Sequence, residues 1–113
     1  LADELLLGIT ILGRGGTTNI PKQAREMLKL KPTRQKREKL LWTQRRDEII
    51  VTKGTPQSDF RKTMLRRNGT AAVPRHIREV LKLSLHNEER VLWTRRGDEV
   101  VVRKGLRQSS PTD

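Results

Sequence analysis

Two stretches of the chain carry the same rhythm of apolar and polar positions in the same order. Apolar and β-branched residues from Leu7 to Leu12, and again from Thr63 to Leu65, predict strands. Each runs into a pair of turn-forming residues, Gly15-Gly16 and Asn68-Gly69. Such pairs favour positive φ at both central positions, which predicts a two-residue type I′ turn. Thr17 to Ile20 and Thr70 to Val73 then read as short return strands, so each stretch is expected to open with a hairpin.

Proline follows directly, as Pro21 and Pro74, where a helix would begin. Proline suits a first helical position because its missing N–H has no intrahelical partner there. Helices are predicted over about 21–30 and 74–83, each with one apolar face: Ala24, Met27 and Leu28 in the first, Ile77, Val80 and Leu81 in the second. Polar loops follow from Lys31 to Glu38 and from Ser84 to Glu89, and Pro32 helps stop the first helix. Leu40 to Thr43 pairs with Glu48 to Lys53 as a second hairpin, and Val91 to Thr94 pairs likewise with Glu99 to Lys104. Trp42 and Trp93 fall inside these apolar strands. Burial in a core or interface is expected for them, rather than stacking on unpaired bases.

The shared rhythm is a true internal repeat. RGGTTNIPKQAREMLKL, starting at Arg14, aligns with RNGTAAVPRHIREVLKL, starting at Arg67, at an offset of 53 with nine identities in 17 positions. LWTQRRDEIIVTKG, starting at Leu41, aligns with LWTRRGDEVVVRKG, starting at Leu92, with nine more in 14. The chain divides into a first repeat over 1–54, a linker over 55–59, a second repeat over 60–105 and a tail over 106–113. One short helix cannot cover two hairpins in a unit of this size, so the edges and apolar faces must be satisfied by a partner copy. That copy is present in the same chain, which predicts a pseudo-two-fold pair.

Charge sets the expected partner. With 25 Lys and Arg against 13 Asp and Glu in 113 residues, the net charge is +12. The two halves share it evenly: 12 basic and 6 acidic residues up to position 54, 13 and 7 beyond it. Such a field concentrates polyanions, and nucleic acid is the commonest intracellular one. The absence of cysteine excludes disulfides, zinc ribbons and thiolate nucleophiles. No apolar run is long enough to span a membrane, and Asp3 and Glu4 occupy the place of a basic signal-peptide n-region. A soluble, cytoplasmic protein is expected.

Catalytic chemistry has little to stand on. His76 and His86 lack a second ligand at metal spacing, so no metal and no cofactor are expected. Asp47-Glu48 and Asp98-Glu99 are adjacent in sequence, and adjacent strand residues point to opposite faces, which argues against paired acid-base work. No phosphate-binding loop, dinucleotide fingerprint or nucleophile elbow occurs, and the chain is not expected to be an enzyme.

The segments NIPKQAREMLKL and AVPRHIREVLKL resemble the AbrB/SpoVT family of swapped-hairpin DNA-binding domains, which includes MazE-type antitoxins. The likeness covers about 8–54 and 60–105. It implies a mainly β fold with short helices, a tandem swapped-hairpin barrel with pseudo-two-fold symmetry. It also implies double-stranded DNA as partner, contacted through a basic β-hairpin surface. Carried over singly, Arg14, Arg66 and Arg67 match the basic stretch before the turn, Lys22 and Arg75 the basic residue after the proline, and Arg25 and Arg78 the helix arginine. For that last pair an ion pair with the adjoining Glu26 or Glu79 is an equal alternative.

This sequence departs from the family pattern where basic residues beside and after the turn glycine are replaced by Gly15 and Asn68, then Thr17 and Thr70. Lys29 and Lys82 stand where the family often has a helix-ending glycine. Either the helix ends differently or these lysines add phosphate contacts. The basic turns at Gln44-Arg45-Arg46 and Arg95-Arg96-Gly97 are diluted by their acidic neighbours and are expected to be solvated. The role expected is transcriptional regulator, with an architectural DNA-binding protein and an antitoxin bound to a toxin as alternatives. Only eight residues follow Gly105, against the long tail usual in such antitoxins. Assembly is left between an internal pseudo-dimer and a hairpin-exchanged homodimer.

Overall fold

A computed structural model describes residues 4–30, 38–46, 48–54, 62–66, 68–85 and 88–105. The linker over 55–59, the tail over 106–113, Arg67 and His86 lie outside the described residues. Among the described residues, eight strands and two short helices follow one another in the order that the repeat predicts, and the architecture is mainly β. The first repeat supplies β1 (Leu5–Ile11), β2 (Thr17–Asn19), α1 (Lys22–Met27), β3 (Lys39–Arg45) and β4 (Glu48–Lys53). The second supplies β5 (Lys62–Met64), β6 (Thr70–Ala72), α2 (Arg75–Val80), β7 (Arg90–Arg96) and β8 (Glu99–Lys104).

The repeats are interleaved. A six-stranded antiparallel sheet runs β1-β7-β8-β4-β3-β5, so the first strand of each repeat lies against the second hairpin of the other. The two hairpins join through β4 and β8, where Ile50 faces Val101. Outside this sheet, β2 and β6 form a two-stranded ribbon in which Thr18 faces Ala71. Both pairs are repeat-equivalent residues, at sequence separations of 51 and 53, so a pseudo-two-fold axis passes through both ladders.

This pairing corrects the expected opening hairpin. β1 and β2 follow one another but do not form a ladder; each pairs with the other repeat. What joins them is a tight loop closed by Gly16 N–H to Gly13 O at 3.0 Å and Gly13 N–H to Thr17 O at 2.8 Å. The second repeat repeats it at Gly69 N–H to Arg66 O and Arg66 N–H to Thr70 O. Positive φ occurs at Gly16 (83°) and Gly69 (86°), not at both residues of either pair, which excludes type I′. The bonding is that of a three-residue loop whose last residue is left-handed. Turn preference set the bend, and burial against the other repeat chose the strand partners.

The core lies between the curled sheet and the layer of ribbon and helices. Alternation along β4 and β8 sends Ile49, Val51, Val100 and Val102 into it, where they meet Leu12, Ile20, Val73, Ala24 and Ile77. Trp42 and Trp93 are buried as expected, edge to face with ring centroids 5.9 Å apart. Each indole N–H donates to a threonine on the strand received from the other repeat: Trp93 to Thr10 Oγ1 and Trp42 to Thr63 Oγ1, both at 2.8 Å.

The helices are shorter than predicted, and each proline sits one position before the helix rather than inside it. Lys29 and Lys82 explain the early stop. Both adopt φ of 56°, with Leu30 N–H bonded to Arg25 O and Leu83 N–H to Arg78 O. This is a Schellman ending with lysine in the position glycine usually takes. Lys104 Nζ ties the second ending down at 3.1 Å from Lys82 O, and also pairs with the buried carboxylate of Glu89.

Candidate nucleic-acid interface

The repeat places each basic turn beside the helix of the other repeat. Gly16 and Gly69 bring the turns close enough that a side chain on either glycine would meet a guanidinium. A Cβ on Gly16 would lie 3.6 Å from Arg78 Cζ, and one on Gly69 would lie 3.4 Å from Arg25 Cζ. Arg78 is held there by Nε donating to Val73 O at 3.2 Å, and Arg25 by Nε donating to Ile20 O at 3.1 Å. Both are half-buried. Their Nε groups therefore bind backbone carbonyls just before the prolines, and Glu79 is paired with Arg75 instead, at 3.2 Å.

The other expected contact residues sit around these two centres. Arg14 is exposed on the turn that Arg78 supports, and Arg66 is exposed at the start of the turn that Arg25 supports. Lys22 and Arg75 open α1 and α2 and are exposed. The structure thus joins Arg14 with Arg78 and Arg66 with Arg25, each across the repeat boundary. Arg67 is the one expected contact residue outside the described residues.

Between the two centres runs the β2–β6 ribbon. Its ladder is prolonged at both ends by Ile20 N–H to Gly69 O and Val73 N–H to Gly16 O, both 2.8 Å. Thr18 and Ala71 point inward and are buried, which leaves Thr17, Asn19, Thr70 and Ala72 on the outer side. These four side chains are short and uncharged. With cross-strand neighbours about 5 Å apart and alternate residues about 7 Å apart, they occupy a patch about two base-pair steps long. Sequence reasoning missed this ribbon as a surface, since TTN and TAA carry no charge; the offset of 53 between them was the available signal.

On the sheet face turned away from the core, carboxylates are neutralised. Arg45 donates both terminal nitrogens to Glu99 at 2.8 and 2.9 Å, and Arg96 donates both to Glu48, one at 2.7 Å. Arg103 reaches Glu4 at 2.6 Å. The first two pairs are repeat equivalents exchanged across the axis. The Arg96 guanidinium holds the Glu48 carboxyl down at about 2, and Arg45 lowers that of Glu99. Arg45, Arg46 and Arg95 are exposed, as expected of solvated turns, and Arg96 is half-buried; Arg45 and Arg96 also clamp the repeats together.

No group of three or more His, Asp or Glu that could hold a metal occurs among the described residues, and no helix among them is long and apolar enough to cross a membrane. His76 Nε2 lies 3.2 Å from Gln44 Oε1 on the surface. Compared with family models, characterised proteins and solved structures, the chain matches none.

Proposed function

We propose that the protein binds double-stranded DNA, as a transcriptional regulator of the AbrB/SpoVT swapped-hairpin type. The observation that carries this reading is the distribution of charge about the ribbon. Each end of an uncharged two-stranded ribbon is flanked by a basic turn from one repeat and a helix arginine from the other. The carboxylates Glu4, Glu48 and Glu99 are taken up by arginines of the opposite sheet face. The major groove of DNA admits a two-stranded ribbon, and arginines at its ends then lie against the phosphate backbones.

In this reading Arg14, Arg66, Arg67, Lys22 and Arg75 neutralise phosphates. Arg25 and Arg78 hold the turns in place and add their charge beneath them. Affinity comes mainly from counterion release and falls steeply with salt. The protein works in the cytoplasm as an internal pseudo-dimer, with no cofactor and no catalytic step. An architectural role would use the same phosphates without base readout.

Fluorescence anisotropy with a labelled random duplex across a salt series tests this. Binding at low salt is expected, with a steep log–log slope. Arg14→Ala and Arg66→Ala together should reduce that slope by about two, one for each phosphate no longer neutralised. Melting should stay unchanged because both side chains are exposed. Absence of binding at low salt, or an unaltered slope in the double variant, would refute the assignment.

A further inference from the structure

We propose that the outer side of the β2–β6 ribbon reads bases, and that Asn19, placed where the other repeat has Ala72, makes the recognised duplex asymmetric. This rests on the DNA-binding reading above and adds which residues discriminate and what form the site takes. The axis through Thr18 and Ala71 makes Thr17 equivalent to Thr70 and Asn19 equivalent to Ala72. The first pair is identical in chemistry. The second is not.

Asn19 is exposed at the end of β2, opposite Thr70, and Ala72 is exposed opposite Thr17. A carboxamide presents a donor and an acceptor side by side, matching N6 and N7 of adenine in the major groove. A methyl group offers no hydrogen bond, so the equivalent base pair in the other half-site is not selected in the same way. Thr70 does not compensate beside Asn19, because its hydroxyl is bonded to Asn68 Oδ1 at 2.7 Å, which also accepts from its N–H at 3.1 Å. The first repeat has Gly15 in place of Asn68 and no side chain for such a bond.

The support beneath the ribbon is asymmetric in the same sense. Thr18 Oγ1 lies 2.7 Å from Thr10 Oγ1 and 3.0 Å from Ile11 O, anchoring the strand that carries Asn19 to β1. Ala71 has no hydroxyl and cannot make that anchor. A discriminating side chain needs a backbone held in place, and the half with Asn19 has it. Two identical chains would recognise a palindrome; two unlike repeats fused in one chain do not have to.

Selection of bound duplexes from a random library, followed by sequencing, tests the proposal with the full chain and the variants Asn19→Ala and Ala72→Asn. Both positions are exposed, so melting should not change. The wild type should enrich a site with an adenine fixed in one half only. Asn19→Ala should lose that preference and bind the selected site about tenfold more weakly. Its affinity for random duplex and its salt slope should stay as in the wild type. Ala72→Asn should add an adenine preference in the second half that is weaker than the first, because Ala71 cannot anchor that strand as Thr18 anchors its own. A palindrome selected by the wild type, a preference unaltered in Asn19→Ala, or tight sequence-blind binding would each overturn this inference and leave DNA binding standing. No duplex binding at low salt would overturn both.

Discussion

Replacing Trp93 with alanine should be among the most damaging single changes available to this fold. The indole is fully buried, packs edge to face on Trp42, and donates to Thr10 on the strand that the first repeat lends to the second. Truncating a buried tryptophan costs about 3–5 kcal/mol in transfer energy and residual cavity. The aromatic pair accounts for about 0.5–1.5 kcal/mol of that order, and the hydrogen bond for about 1 kcal/mol. Against a stability of about 5–15 kcal/mol for a domain of ordinary size, this removes a large share.

Urea denaturation followed by circular dichroism should show the midpoint falling with little change in slope. Thr10→Val is the informative companion, since it keeps the ring packing and removes its acceptor. A buried indole N–H left without a partner costs about 1–3 kcal/mol. The Trp42→Ala/Trp93→Ala double variant should lose less than the sum of the singles, by about the energy of the ring pair. A loss below about 1 kcal/mol in Trp93→Ala, outside the range for a buried tryptophan, would refute the view that the two tryptophans join the repeats.

Other expectations concern the clamp, the turns and the helix ends. Glu48 is held at about 2 in the folded protein against an ordinary 4.5, so its contribution to stability is complete above about 4.5 and is lost as pH falls from there through about 2. Glu48→Gln should therefore flatten the acid limb of the melting temperature against pH between those values; an unchanged limb would remove the clamp from the account. Gly16→Ala and Gly69→Ala force a side chain into left-handed backbone beside a guanidinium, and each should cost about 1–2 kcal/mol by thermal melting. At Lys29 and Lys82 the same physics runs the other way, and glycine there should stabilise by up to about 1 kcal/mol each, read by the same melts.

Most of the elements were legible along the chain because their signals are local. Glu48–Lys53 and Glu99–Lys104 have the boundaries expected from the chain, and Ala24 and Ile77, both on the expected apolar helix faces, are buried. The candidate site was legible in part: the exposed positions of Arg14, Lys22, Arg66 and Arg75 suit phosphate contact. The structural duty of Arg25 and Arg78 was hidden, because the turns they support come from the other repeat. Asn19 was hidden for a different reason, since its place on the surface depends on a strand pairing that no short-range pattern specifies.

By itself, the sequence determined the inventory: which residues extend, bend, coil and bury, that the chain carries two copies of one unit, and that each copy is equally basic. These follow from side-chain periodicity, turn chemistry and charge, all properties of neighbouring residues. Only the tertiary structure decided the pairing. Gly15-Gly16 predicts a hairpin, yet β1 leaves it for β7, because there Thr10 meets the buried Trp93 and Leu12 N–H finds Glu89 O. The same exchange decides that Arg45 pairs with Glu99 of the other repeat, and that Thr18 faces Ala71 on the axis. Those choices are made by the burial of one repeat's apolar and polar groups against the other's, a long-range condition that a local pattern can demand but cannot resolve.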